Sequence, residues 1–163
     1  MTPQRYMVRM AEKAVSAAPG DMLVSLGLGS CIGLALIDSE SQVAGLVHIV
    51  LPQAPPALNG TPPWKFADTA IPALLDEVVR NGARQGNLRA VLAGGAHMFG
   101  GAGASPVMQI GARNQQSTMA ALEVLGIPIR AMETGGSAGR SIEVSIATGE
   151  VSVRGVGQAP RAL

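Results

Sequence analysis

"LGLGSCIGLALIDSESQVAGLVHIVLP", Leu26–Pro52, decides how this chain is read. Two apolar, β-compatible runs, "CIGLALID" and "QVAGLVHIVL", flank the polar "SES", and a short polar break between such runs signals a hairpin. Gly33, Gly45, the β-branched residues and the polar interruption count against one helix. The stretch holds the chain's only cysteine, Cys31, and one of its two histidines, His48. In an antiparallel pair, opposed residues have position numbers that sum to a constant and project from one face. For Cys31 and His48 that sum is 79, the value set by a loop centred between Ser39 and Glu40. Direct opposition places Cβ atoms roughly 4.5–5.5 Å apart. A loop centre moved by one residue gives 77 or 81 and leaves the two as diagonal neighbours on one face, whereas an odd-length loop separates them.

Working outward, "DMLVSLGLG", residues 21–29, follows the turn signal "APG" and reads as a buried strand that delivers the chain to Cys31. After the hairpin, "PQAPPALNGTPP", residues 52–63, is too rich in proline to pair in a sheet and reads as a surface loop. From Asp68, the spacing of Ile71, Leu74, Leu75, Val78 and Val79 predicts a helix, with Asp68 as N-cap and Gly82 as C′ residue. "RAVLAGGA", from Arg89, reads as a strand ending in glycines. "GARNQQSTMAALEVLG" supplies a second helix with Met119, Leu122 and Leu125 on one stripe, closed by Gly126. "IPIRAMET" is a further strand, and "SIEVSIATGEVSVRGV" a hairpin turning at Thr148 and Gly149. The order predicts an α/β (α+β) protein with antiparallel or mixed sheets and two main helices.

The chain of 163 residues fits one domain, 1–163, and its 47% hydrophobic and 14% charged residues exclude disorder. Aromatics at 2% offer no series of rings for stacking bases, and a net charge of +1 gives no footprint for nucleic acid. The first twenty residues hold no apolar run of signal-peptide length, and no segment reaches the ~18 apolar residues of a membrane span. A cytoplasmic protein without membrane insertion is expected. One cysteine excludes an internal disulfide, so the Cys31 thiol is explained by packing or by reactivity.

A thiol beside an imidazole suits nucleophilic attack on an acyl carbon: the imidazole takes the thiol proton and later delivers it to the leaving group. "GLGSC" can bend and expose backbone N–H groups near Gly29, Ser30 and Cys31 to a tetrahedral intermediate. Against this, free cysteine is among the most buried residue types, and a lone histidine in an apolar strand is more often a hydrogen-bonded core residue. From these residues alone both readings stand. Zinc is disfavoured because Cys31, His48 and His97 lack ligand spacing. A nucleotide is disfavoured too: Ile32 occupies the third glycine position of "GLGSCI", and "GGAHMFGGAG" has no Walker lysine. No metal and no cofactor are expected.

The string "SLGLGSCIGLALID…GLVHIVLP" closely resembles the chemoreceptor glutamine deamidase family, CheD, whose pattern is a T-L-G-L-G-S-C segment followed by H-x-x-L-P. "KFADTAIPALL", "AGGAHMF", "IGARN" and "TGGSAGRSIEVSIATGEVSVR" resemble later family blocks in the same order, so the likeness covers nearly the whole chain. The resemblance implies a layered, sandwich-like fold similar to the catalytic domain of the cytotoxic necrotizing factor toxins. It implies a triad with Cys31 as nucleophile, His48 as general base and, where the family has threonine, Ser25. The implied reaction is hydrolysis of glutamine side-chain amides in methyl-accepting chemotaxis receptors, giving glutamate and ammonia through a Cys31 thioester. A CheC-type phosphatase is a further implied partner. The alternatives are a catalytically weak regulatory module that binds receptor or phosphatase, and an amidase acting on a small molecule. His97 receives no catalytic role. Arg113 and Asn114 are expected to shape the site or cap the second helix, Thr134, Gly135 and Gly136 to form a tight bend near the cleft, and Arg140 to be a receptor contact or surface charge. The loops at 52–63 and 94–103 are expected to form the lip of the cleft.

Overall fold

A computed structural model describes residues 2–98 and 109–163. Among them are ten strands: β1 (Arg5–Met7), β2 (Lys13–Ser16), β3 (Met22–Leu28), β4 (Ile32–Asp38), β5 (Val43–Ile49), β6 (Arg89–Gly94), β7 (Ile129–Thr134), β8 (Arg140–Ser145), β9 (Val151–Gly155) and β10 (Arg161–Ala162). Two α-helices, α1 (Ala67–Arg80) and α2 (Ile110–Leu125), complete the mixed α+β architecture. The strands form two five-stranded sheets, ordered β1-β3-β8-β9-β10 and β2-β5-β4-β6-β7. Both are mixed, because β1 runs parallel to β3 and β6 parallel to β7. No helix among the described residues is long and apolar enough to cross a membrane.

The alternation of side chains along β4 and β5 builds three layers. Ile32, Leu34 and Leu36, with Val43, Val47 and Ile49, pack against α1 and α2 residues such as Ile71, Leu74 and Leu122. Their alternates, Ala35, Ile37, Ala44 and Leu46, face the other sheet and meet Leu23, Ile142, Val144 and Val151. Both strands are buried along their whole length, which is why their sequences read as unbroken apolar runs. Small residues admit the neighbouring layer: a Cβ on Gly45 would lie 2.8 Å from Val78 Cγ1 and 2.9 Å from Leu74 Cδ1. Burying apolar surface on both faces of the central strands at about 25 cal/mol per Å2 is the main source of stability.

The β4–β5 hairpin forms, with its loop centre one residue beyond the position suggested by "SES". Asp38 pairs with Val43 and Gly33 with His48, so opposed positions sum to 81. The reason lies in Gln42, whose φ of +54° places it in the turn rather than in the strand. Cys31, the residue before β4, is therefore a diagonal neighbour of His48 on the same face.

Asp38 ties this turn to the rest of the molecule: its carboxylate accepts the Ser41 N–H at 3.0 Å and the Arg84 N–H at 2.8 Å. Burial opposes ionisation of this carboxyl, but the donors around it outweigh that and hold it below the usual carboxylate range. Asp38→Ala strands two backbone donors, and we expect about 2–4 kcal/mol lower stability, measured as a lower urea midpoint at unchanged m-value. An unchanged midpoint would remove Asp38 from the hairpin's support.

Both helices depart in detail from expectation. Phe66, not Asp68, is the N-cap of α1 and no side chain caps it; Asp68 instead accepts the Ala54 N–H at 2.9 Å, anchoring the proline-rich loop. Val79 is exposed while Ile71, Leu74, Leu75 and Val78 are buried. On α2 the buried face is Gly111, Asn114, Thr118 and Leu122, and Met119 lies at the surface. Asn114 on that face meets backbone carbonyls at the ends of β4 and β5. Gly126, at φ +71°, closes the helix as expected.

Candidate active site

The site is assembled where β3 of one sheet and the β4–β5 hairpin of the other come together. In β3, three residue steps from Ser25 to Leu28 pass opposite two steps from Ile142 to Arg140 in β8, a bulge. Gly27 takes φ +64° within it, Leu26 is turned out to 48% exposure, and Leu28 returns to the core. The backbone then turns at Gly29 and Ser30 into Cys31, which enters β4.

A cleft of about 490 Å3 opens at this point. Cys31 and His48 lie in it, Leu26 and Gly27 of the bulge form one side, and Met7, Val8, Arg9 and Met10 form the other. The segment after β1 is thus a wall of the cleft. It crosses from one sheet to the other, with Val8 N–H bonded to Val24 O at 2.7 Å, Ala11 N–H to His48 O at 2.9 Å and His48 N–H to Glu12 O at 3.1 Å. The loop at 52–63 contributes no wall to this cleft, and the loop at 94–103 is described only through Met98, the remainder lying outside the described residues. Met98 covers the elbow from outside, its Cγ 3.3 Å from where a Cβ on Gly29 would be. A larger hollow of about 920 Å3 lies between residues 2–6 and 15–21 and contains neither Cys31 nor His48. Its carboxylate, Asp21, is already engaged by Ser16 Oγ at 2.6 Å and Gln4 N–H at 2.9 Å.

The imidazole is oriented by a backbone group. His48 Nδ1 lies 3.3 Å from the Val8 carbonyl oxygen. A carbonyl only accepts, so Nδ1 carries the hydrogen and Nε2 keeps its lone pair. The Ser25 hydroxyl, which the resemblance would aim at His48, donates instead to the same Val8 oxygen at 2.7 Å. Ser25 and His48 are thus joined through one carbonyl, and Ser25 is completely buried. A backbone carbonyl has no side-chain signature, so the sequence holds no sign of Val8.

Burial pushes the Cys31 thiol up, with its own N–H lying against the sulfur as the weaker, opposing influence. Burial likewise pushes His48 down, against the Val8 carbonyl and the Glu12 carboxylate, which favour the charged ring. Thiol and imidazole are therefore both neutral near pH 7. A neutral pair suits attack in which proton transfer accompanies bond formation, with Nε2 as acceptor.

The elbow around Cys31 has its carbonyls occupied. Gly29 O accepts from Ala96 N at 2.8 Å and Cys31 O from Gly95 N at 2.8 Å, while Ser30 O accepts from Asn114 Nδ2 at 2.9 Å. Gly94 permits this approach: at φ +110°, a Cβ there would sit 2.1 Å from Cys31 O. Arg113 is exposed. Gly135 and Gly136 form a bend at φ +82° and +70°, held to the elbow's support by Gly135 N to Gly94 O at 3.0 Å and His97 N to Gly136 O at 2.8 Å. Arg140 holds that bend from within, donating to Glu133 O at 2.7 Å and also to Gly135 O and Ala138 O. Its guanidinium therefore has an internal structural contact set rather than standing free at the surface. Among the described residues, no three His, Cys, Asp or Glu side chains gather as a metal site.

Residues 50–155 match the family described as CheD chemotactic sensory transduction. A protein of Desulforamulus reducens, named "Probable chemoreceptor glutamine deamidase CheD", is 45% identical over 150 residues, 92% of this chain and 90% of that protein. A protein of the same name from Clostridium novyi is 45% identical over 147 residues, covering 90% of this chain and 91% of the relative. One from Clostridium botulinum is 41% identical over 157 residues, 96% of each chain. With this agreement along nearly its full length, the chain belongs to the CheD family.

Proposed function

We propose that residues 1–163 work as one cytoplasmic deamidase domain that hydrolyses glutamine side-chain amides of methyl-accepting chemotaxis receptors. Membership of the family and the names of the relatives support the deamidase activity. The observation that carries the mechanism is Cys31 and His48 in one cleft, with Nδ1 of His48 committed to the Val8 carbonyl. In this reading the Cys31 sulfur attacks the amide carbon as Nε2 takes the thiol proton. The carbonyl oxygen becomes an oxyanion facing backbone N–H groups of the elbow, with Ser30 and Gly29 on its rim. His48 then gives its proton to the amide nitrogen, ammonia leaves, and a thioester remains. Water, deprotonated by Nε2, attacks the thioester, and glutamate is released with the thiol restored.

Exposed Met10 and Leu26 on the cleft walls favour a macromolecular substrate over a free amide, because adaptable apolar surface at a rim suits a protein face. Incubating the purified chain with receptor fragments and following glutamine-to-glutamate conversion by mass spectrometry tests the proposal; release of ammonia without modified receptor would favour the small-molecule amidase. Binding to receptor or to a CheC-type phosphatase with no conversion would favour the regulatory module.

Ser25 acts in this scheme through the Val8 carbonyl. Ser25→Ala leaves that oxygen held by His48 alone, and we expect about a tenfold slower single turnover, in line with one lost hydrogen bond. Ser25→Thr restores the hydroxyl and is expected to keep the parent rate. An alanine variant as fast as the parent would make Ser25 a strand residue only.

A further inference from the structure

We propose that Asn114 is a positioning residue of this site: its Nδ2 holds the Ser30 carbonyl toward α2 and thereby turns the Cys31 N–H to the side where the substrate's amide oxygen becomes an oxyanion. The proposal deepens the deamidase reading and rests on it for the identity of that oxyanion. Asn114 is wholly buried, and its Nδ2 donates to both Ser30 O and Val50 O at 2.9 Å. By the register of the hairpin, Val50 is the residue opposite Cys31. One side-chain amide therefore bridges the strand ends that carry Cys31 and His48, just where the β4–β5 ladder stops. Both amide hydrogens are used, as each carbonyl needs one donor.

The consequence for Cys31 follows from peptide planarity. The Ser30–Cys31 bond is trans, so its C=O and N–H point in opposite directions. A carbonyl fixed toward α2 turns the N–H away from it, against the Cys31 sulfur. Gly29 O and Cys31 O are restrained by backbone N–H groups of Ala96 and Gly95. Among these three consecutive carbonyls, Ser30 O alone is held by a side chain of the described residues, and so it is the one that substitution can release. The fold also makes room for the bridge. A Cβ on Gly111 would lie 2.3 Å from Ala96 O and 2.7 Å from Gly95 O, so glycine there lets α2 lie close enough for Asn114 to reach both strand ends.

The test uses the full chain, receptor fragment as substrate, and iodoacetamide as a reporter of Cys31, the chain's only thiol. Asn114→Leu removes both donors at similar size, and Asn114→Ser, too short to reach either carbonyl, serves if the leucine variant fails to fold. Thr118→Val, on the same buried face one turn on, is the packing control. We expect the Asn114 variants to lose kcat by about 10²-fold with KM nearly unchanged, the scale of one misdirected oxyanion donor. The pH midpoint of Cys31 alkylation should rise, since the thiolate loses its N–H, and Thr118→Val should move neither quantity. A folded Asn114→Ser variant with parental kcat, with a drop in kcat no larger than its unfolded fraction, or with an unmoved alkylation midpoint would overturn the proposal. A parent that fails to deamidate would defeat the deamidase reading instead, because the alkylation midpoint is measured without substrate.

Discussion

Cys31→Ala is expected to abolish deamidation, lowering the rate by at least about 10⁴-fold, because no other nucleophile among the described residues of the cleft can form the covalent bond to the acyl carbon. Among the described residues, the cleft walls are Met7–Met10, Leu26 and Gly27, and the remaining side chain in it besides Cys31 is the His48 imidazole. Loss of one sulfur from a site 9% exposed should cost about 1 kcal/mol in stability, comparable to removing a buried methylene. Activity and stability therefore separate: the variant should unfold at nearly the parent urea concentration while no thioester adduct appears in mass spectra of stalled reactions. Glutamate formation at the parent rate by a folded Cys31→Ala protein would end the cysteine mechanism. Cys31→Ser is a sharper version of the test, since its hydroxyl keeps the shape and holds its proton far more tightly than a thiol.

His48→Ala should be the next most damaging change, with a loss of about 10³-fold, the range of a general base that serves both proton transfers. The pH dependence states the mechanism more finely. Burial pushes His48 below the ordinary imidazole range and Cys31 above the ordinary thiol range. The rate should therefore rise with pH along a limb set by His48, below the usual histidine range, and Cys31 alkylation should gain speed only at alkaline pH. A preformed thiolate–imidazolium pair requires the opposite shifts, and alkylation already at its plateau near pH 6 would establish that pair and overturn the neutral one. The same burial affects folding. His48 is bound neutral, its folded-state pKa lies under the unfolded value, and the stability it contributes is complete above the unfolded pKa. That contribution is lost as pH falls through the folded pKa, and His48→Gln should remove that part of the acid slope.

Ser25 and His48 are joined in the structure differently from the direct hydroxyl–imidazole bond expected from the sequence. The residues expected from the sequence lie close together, yet Ser25 Oγ and His48 Nδ1 meet at Val8 O and not at each other. The second helix shows the same limit. Met119, Leu122 and Leu125 form the apolar stripe in the sequence, but the inward face carries Asn114 and Thr118. An apolar pattern marks helix faces that meet apolar layers, and at Asn114 this face meets strand-end carbonyls that take its two amide hydrogens.

Much of the molecule was determined locally. Alternation and length in "CIGLALID" and "QVAGLVHIVL" dictate two strands buried on both faces, and the even loop between them puts Cys31 and His48 on one face. Gly126 and Gly149 end elements where only a positive φ continues the chain, at +71° and +70°. Tertiary structure alone decided the rest. The short strands β1, β2 and β10 were not legible, because two to four residues carry too little periodicity to stand above background. Whether Gln42 closes the turn or opens the strand was settled by its φ of +54°, and that one residue converts direct opposition of Cys31 and His48 into a diagonal. The wall of the cleft at Met7–Met10, the Val8 carbonyl that orients the imidazole, and the Asn114 bridge between strand ends all join residues distant in sequence. Their reason is common: each depends on a backbone carbonyl, which every residue carries, and only folding determines which of those carbonyls stand beside the thiol and the imidazole.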